Sequence, residues 1–177
     1  MKRMSIILAT VAVLTLGVAG YASLATKPAT VPSTHVTERV LSKYEVGPPD
    51  AQELLELVNA ERAKVGVAPL TIDEGLNTSA QIKADDMSNN DYFGHVDANG
   101  KHGYEYAYEY SANCKVPSEN IRWTPLAAST SRVVYDGWYN SPQHIAAIRK
   151  ADYTLTGIAV SNSADKYYTV QHFCIAK

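Results

Sequence analysis

The chain is short of the residues that would mark several common classes of protein. It has only two cysteines, Cys114 and Cys174, in 177 residues. At most one internal bridge is possible, and the wide spacing argues against a two-cysteine metal site. Nor is there a cationic excess. Lysine and arginine number 16 against 18 acids, for a net charge of −2 and no basic cluster, so neither nucleic acid nor an anionic membrane face is indicated as a partner. No cysteine follows the apolar N-terminal stretch closely, which excludes lipid attachment at a processed N-terminal cysteine. No two histidines stand four apart on a helix in the manner of a helical zinc motif.

What is present begins with Lys2 and Arg3, an apolar run from Ile6 to Leu16, and the small-residue segment GVAGYASLA. That order is the pattern of an export signal. Residues 1–25 are therefore expected to be a signal peptide or a retained membrane anchor. The rest would then be secreted, or held outside the cytoplasmic membrane with that segment as its only membrane contact. Cleavage after Ala25 would remove Lys2 and Arg3 and no acid, taking the net charge from −2 to −4. Export also favours a Cys114–Cys174 bridge over two buried thiols, and closing a loop of about 60 residues is worth roughly 4 kcal/mol in the chain-entropy model. Residues 26–49 carry Pro28, Pro32, Pro48 and Pro49 without a period and read as a tether that includes His35. Val40, Leu41, Tyr44 and Val46 are the candidates for packing back on a domain of residues 50–177.

In that domain, Asp50 with Glu53 is a capping pair for a helix bearing Leu54, Leu57, Val58 and Val65 on one stripe, ended by Gly66. Glu61 and Arg62 fall in or beside the stripe and are expected to be partly buried and paired. A second helix runs from Asp73 to Asn89 through Leu76, Ala80, Ala84 and Met87. The run YEYAYEY, Tyr104 to Tyr110, fits a strand and a short helix equally. Thr124-Pro125 and Ser141-Pro142 each look like a cap followed by proline at the first helical position. They would open a third helix through Val133, Val134 and Trp138 and a fourth through His144 and Ile148. TLTGIAVS and YYTVQHFCI, separated by about five residues, read as an antiparallel hairpin, and Ile121 to Trp123 as a further strand. Helices on a small antiparallel sheet make the class α+β.

Four side chains could carry chemistry: His95, Glu119, His144 and His172. A carboxylate and imidazoles suit a divalent metal such as zinc, and equally suit proton transfer, since histidine titrates near neutrality and burial tunes glutamate. Glu119 is the best general acid or base candidate by type. Spacing does not choose between these readings.

The order NAERAKVGVAPL, SAQIKADDMSNNDYFGH, SENI, WYNSPQHIAAI and TGIAVSNSADKYYTVQHF closely resembles the CAP superfamily of cysteine-rich secretory, venom antigen and plant pathogenesis-related proteins, in its bacterial single-domain form. The resemblance spans Asp50 to the C-terminus and implies an α-β-α sandwich around a small antiparallel sheet with an open cleft. It places His95, Glu119 and His144 in that cleft, with His95 and His144 as candidate metal ligands. The second glutamate of larger members, three residues after Trp138, is Ser141 here, so a quartet becomes a triad. Ser141 has a structural use as a helix cap. Gln143 and Ile145 replace a glycine and an arginine usual in this branch, and Ser118 replaces the glycine before Glu119. His172 stands where relatives usually carry another residue, and His102 reads as solvated. The function implied is a cleft that binds a small ligand, a peptide or a divalent metal at the cell surface. The alternatives are a metal-assisted hydrolase acting on peptides or cell-wall material, and a structural surface module.

Overall fold

The computed structural model describes residues 46–177. The proposed signal or anchor, most of the tether, and with them His35, Val40, Leu41 and Tyr44 lie outside the described residues. Helix α1, Ala51–Lys64, starts where the sequence indicates: the Asp50 carboxylate accepts from the Glu53 N–H at 2.7 Å. Leu54 and Val58 are fully buried, whereas Val65 at the end of the expected stripe is exposed. Glu61 and Arg62 are more deeply buried than expected, at 2% and 0% exposure. They are satisfied separately. Glu61 accepts from Arg149 and Tyr135. Arg62 donates to the backbone carbonyls of Ala68, Ile148, Lys150 and Tyr153 at 2.7 to 2.9 Å.

Strand β1, Thr71–Ile72, leads into helix α2, Glu74–Asn89, capped by Asp73 and burying Leu76, Ala80, Ala84 and Met87. The tyrosine-rich run resolves as helix α3, Glu105–Tyr110. At its start the Glu105 carboxylate accepts from the His102 N–H at 2.6 Å, which favours a helical turn. In a helix the tyrosines diverge: Tyr108 and Tyr110 are exposed, and the Tyr106 hydroxyl donates to Asp97.

The candidate strand at Ile121 is the middle of a much longer one. Strand β2 spans Cys114–Pro125, so Thr124-Pro125 is strand rather than a helix start. Trp123, Thr124 and Pro125 pair with Tyr168, Tyr167 and Lys166. The Thr124 hydroxyl is buried against that of Ser129 at 2.7 Å instead of capping a helix. A single 3₁₀ turn, Leu126–Ala128, follows, and helix α4, Ser131–Tyr139, is capped by Thr130. Helix α5, Pro142–Arg149, begins at Ser141-Pro142 as expected, although the Ser141 side chain makes no capping hydrogen bond. Strands β3, Leu155–Asn162, and β4, Lys166–Ala176, form the hairpin, with a loop of residues 163–165.

The sheet order is β1-β3-β4-β2. Its three long strands are antiparallel, and the two-residue β1 adds a parallel edge. Alternation along β4 splits the core. Phe173 packs with Leu54, Val58, Val134, Trp138 and Ile148 of α1, α4 and α5. Tyr168 and Val170 pack with Ala80, Ala84 and Met87 of α2. The result is a helical layer on each face of a small sheet, an α+β sandwich. A Cys114–Cys174 disulfide joins β2 to β4 beneath Leu76 and Ala107.

Candidate functional site

Two neighbouring strands and one loop build the site. Glu119 on β2 and His172 on β4 are direct cross-strand partners, so both side chains leave the same face of the sheet. His172 is fully buried there. Its Nε2 lies 3.1 Å from Glu119 Oε2, and its Nδ1 lies 2.7 Å from the Ser79 hydroxyl of α2. His95 reaches the other oxygen, with Nδ1 2.6 Å from Glu119 Oε1. A carboxylate only accepts, so each imidazole presents an N–H to it. The outcome is a buried carboxylate between two imidazoles, of which the His95 ring is half exposed and the His172 ring is sealed.

The loop sequence explains why His95 stays in place. The Asp97 side chain accepts from the N–H groups of Asn99 and Lys101, closing a tight turn. Behind the turn, the Gly103 N–H donates to the His95 carbonyl at 2.8 Å. Gly103 also makes room for the acid, because a Cβ there would meet Glu119 Oε2 at 1.8 Å. On the α2 side, the buried Lys83 ammonium donates to the Tyr92 hydroxyl at 2.7 Å, and that hydroxyl donates to Asp86. Burial pushes Lys83 below the usual lysine range, against the opposing pull of Glu119, Asp86 and Asp97. Spacing along the chain carried no sign of Gly103, Lys83 or the partnership with His172.

Burial alone would raise the Glu119 carboxyl. The hydrogen bonds and charge of His172 and His95 outweigh that effect and hold it below its ordinary value. A carboxylate held ionised and enclosed is suited to orienting His95 rather than to exchanging protons with a substrate. Ser79, His172 and Glu119 have the composition of a nucleophilic triad, but Ser79 is fully buried and donates to the Leu76 carbonyl. No substrate can reach it.

His144, at the first turn of α5, is held differently. Its backbone carbonyl accepts from Asn120 at 3.2 Å, and its buried Nδ1 has no hydrogen-bond partner among the described residues. Burial first, then the neighbouring His95 and Arg122, depress its pKa. Depression means the unfolded chain takes up the proton first, so this contribution to stability is full above the ordinary value of 6.5 and is lost as pH falls through the lowered value. Replacing His144 with phenylalanine is therefore expected to flatten the stability profile as pH falls below the ordinary histidine value of 6.5. Denaturant titration checks this, and wild-type and variant profiles of the same shape would contradict it.

Both Glu119 oxygens are engaged by imidazoles. Among the described residues, no group of three or more histidine, cysteine, aspartate or glutamate side chains is placed to hold an ion. Beside them, a pocket of about 380 Å³ opens along the outer edge of β2, with Phe93, Arg122, Trp123, Val133, Ser141 and His144 in its walls.

Fold and site together define a small three-layered α+β domain with a buried glutamate between two histidines and a pocket at one sheet edge. Residues 55–174 match the model of CAP, the cysteine-rich secretory protein family, and the chain belongs to that family. It is 32% identical over 139 residues to YkwD of Bacillus subtilis, covering 77% of this chain and 51% of YkwD. Among solved structures it resembles an outer surface protein of Borrelia burgdorferi, with a TM-score of 0.64 and 20% identity over 71% of this chain and 92% of that one. It also resembles an extracellular SCP-domain protein of Bacillus anthracis, with a TM-score of 0.59 and 22% identity over 70% of this chain and 39% of that one. At such identities the structural likeness shows the fold. The chain spans about half of YkwD's length. Among the described residues, no helix is long and apolar enough to cross a membrane.

Proposed function

We propose that the protein is an exported binding domain that offers a small ligand or peptide a cleft formed by His95, Glu119 and His144 with the adjoining pocket. The pocket carries this reading. Its 380 Å³ is within the size range of small-molecule sites, and apolar side chains wall it beside a few polar groups. Glu119 sets the His95 ring, whose exposed part is free to hydrogen-bond a ligand at the rim. Export rests on the N-terminal pattern of residues 1–25, with residues 26–49 as spacer and 50–177 as the working domain. A buried disulfide suits an oxidising compartment.

The metal-assisted hydrolase reading finds less support. It requires His95 and His144 to share an ion while Glu119 activates water, and Glu119 is committed elsewhere. A saturation-transfer NMR screen of small aromatic and aliphatic fragments against the full-length protein tests the binding reading. Fragments should bind the wild type and be lost on Val133→Asp, which places a charge in the apolar wall. If no fragment binds, or if binding is indifferent to Val133→Asp, the pocket is not the site.

A further inference from the structure

We propose that the pocket on the outer edge of β2 is a receptor for a small carboxylate-bearing ligand with an apolar body, the Arg122 guanidinium taking the carboxylate. This rests on the binding reading of the cleft and names its ligand class.

Among the described residues, Arg122 is the one formally charged member of the pocket wall. Its guanidinium donates no hydrogen bond and enters no ion pair among the described residues. An exposed arginine alone would mean little. The seat on which it rests is more informative. Gly137 lies inside α4, where glycine costs about 1 kcal/mol relative to alanine. A Cβ at that position would meet Arg122 Nε at 2.6 Å and Cζ at 2.7 Å. The helix leaves room there for the guanidinium to lie against its backbone at the pocket wall. The planar guanidinium matches a carboxylate through two parallel hydrogen bonds.

Around this cation, Phe93, Trp123 and Val133 remain 46%, 43% and 39% exposed. Large apolar side chains grouped in water at the mouth of a pocket mark a contact surface. Glu119, the acid nearest in sequence, points into its two histidines, and among the described residues no carboxylate lines the wall beside Arg122. An inorganic anion would leave the apolar wall unused, and a neutral apolar ligand would leave the cation unused. A ligand with both parts uses the whole pocket. A free aryl or alkyl acid and the C-terminus of a peptide ending in an apolar residue share that chemistry.

The test follows tryptophan fluorescence of the full-length protein, in which Trp123 is half exposed and Trp138 is buried. The probes are 4-phenylbutyrate and its amide, and acetyl-glycyl-phenylalanine with a free or an amidated C-terminus. Each acid should bind at least about tenfold more tightly than its amide, the scale of a charged hydrogen bond. Arg122→Gln should bring the acids down to the level of the amides. Gly137→Ala, which displaces the guanidinium from its place on the helix, should weaken acid binding with the charge retained, and whichever acid binds more tightly identifies the source. Equal binding of acid and amide by the wild type overturns the proposal and leaves the binding reading standing. Unchanged acid affinity in Arg122→Gln also overturns it. If no probe binds, the proposal is overturned, and the fragment screen with Val133→Asp decides the binding reading.

Discussion

Replacing Arg62 with methionine should destabilise the domain by about 5 kcal/mol, a large share of the roughly 5–15 kcal/mol that holds a typical domain folded. Methionine keeps most of the buried stem, so packing loss is small and the effect isolates the guanidinium. That group fills the gap where the end of α1, the end of α5 and the approach to β3 meet, and it satisfies four backbone carbonyls there. No water replaces it in a residue that is 0% exposed. Each orphaned buried acceptor costs about 1 kcal/mol or more; the Ile148 and Tyr153 carbonyls lose wholly buried bonds, the Ala68 carbonyl a partly buried one, and the Lys150 carbonyl keeps the Tyr153 N–H. Lysine should rescue little, because a point ammonium cannot reproduce the planar fork. Urea denaturation measures the change. A loss below about 2 kcal/mol for Arg62→Met would mean that the carbonyls find other partners.

Glu119→Ala should cost about 3 kcal/mol, the scale of removing one member of a buried charged pair. It strips the sealed His172 Nε2 of its partner and releases His95 from the hydrogen bond that orients its ring. Glutamine, which still accepts through one oxygen, should cost less. The pH dependence separates this account from simple loss of packing. The folded-state pKa of Glu119 is depressed, so its contribution is complete above the ordinary 4.5 and fades as pH falls through the folded value. The gap between wild type and Glu119→Ala should therefore close under acid conditions. A gap independent of pH would show that the carboxylate acts only as volume. Gly103→Ala should reproduce part of the defect with Glu119 intact, because its methyl group claims the place of Oε2.

The two long helices were legible from their apolar stripes, the first also from its Asp50 cap, which is made as written; the second is likewise capped, by Asp73. Strand β2 was largely hidden. CKVPSENIRWTP mixes proline and charge in a way a central strand would not allow. At the sheet edge only one side of the strand must pair, so Pro117, Lys115 and Arg122 are tolerated. Thr124-Pro125 then imitated a helix start inside that strand. The six residues of α3 are too few to separate a period of two from one of about 3.6.

In the site, the resemblance picked out His95 and Glu119, which the fold brings into contact. It also picked out His144, which stands at the pocket without a hydrogen bond from its Nδ1 among the described residues. The role of His172 depends on register. A slip of one residue between β2 and β4 would turn it to the opposite face, and no local pattern fixes that register. Gly103 and Gly137 are defined by side chains that arrive from β2, one for Glu119 and one for Arg122. Such meetings exist only after folding.

The central claim, that the cleft at the edge of β2 is the binding site, is tested most directly by amide chemical-shift mapping while the full-length protein is titrated with 4-phenylbutyrate. The account predicts saturable shifts concentrated at Phe93, Arg122, Trp123, Gly137 and His144. Shifts centred instead on the shallow groove by Asn77, Gln81 and Ile82 at the other edge of the sheet, or no saturable shifts at all, would contradict it.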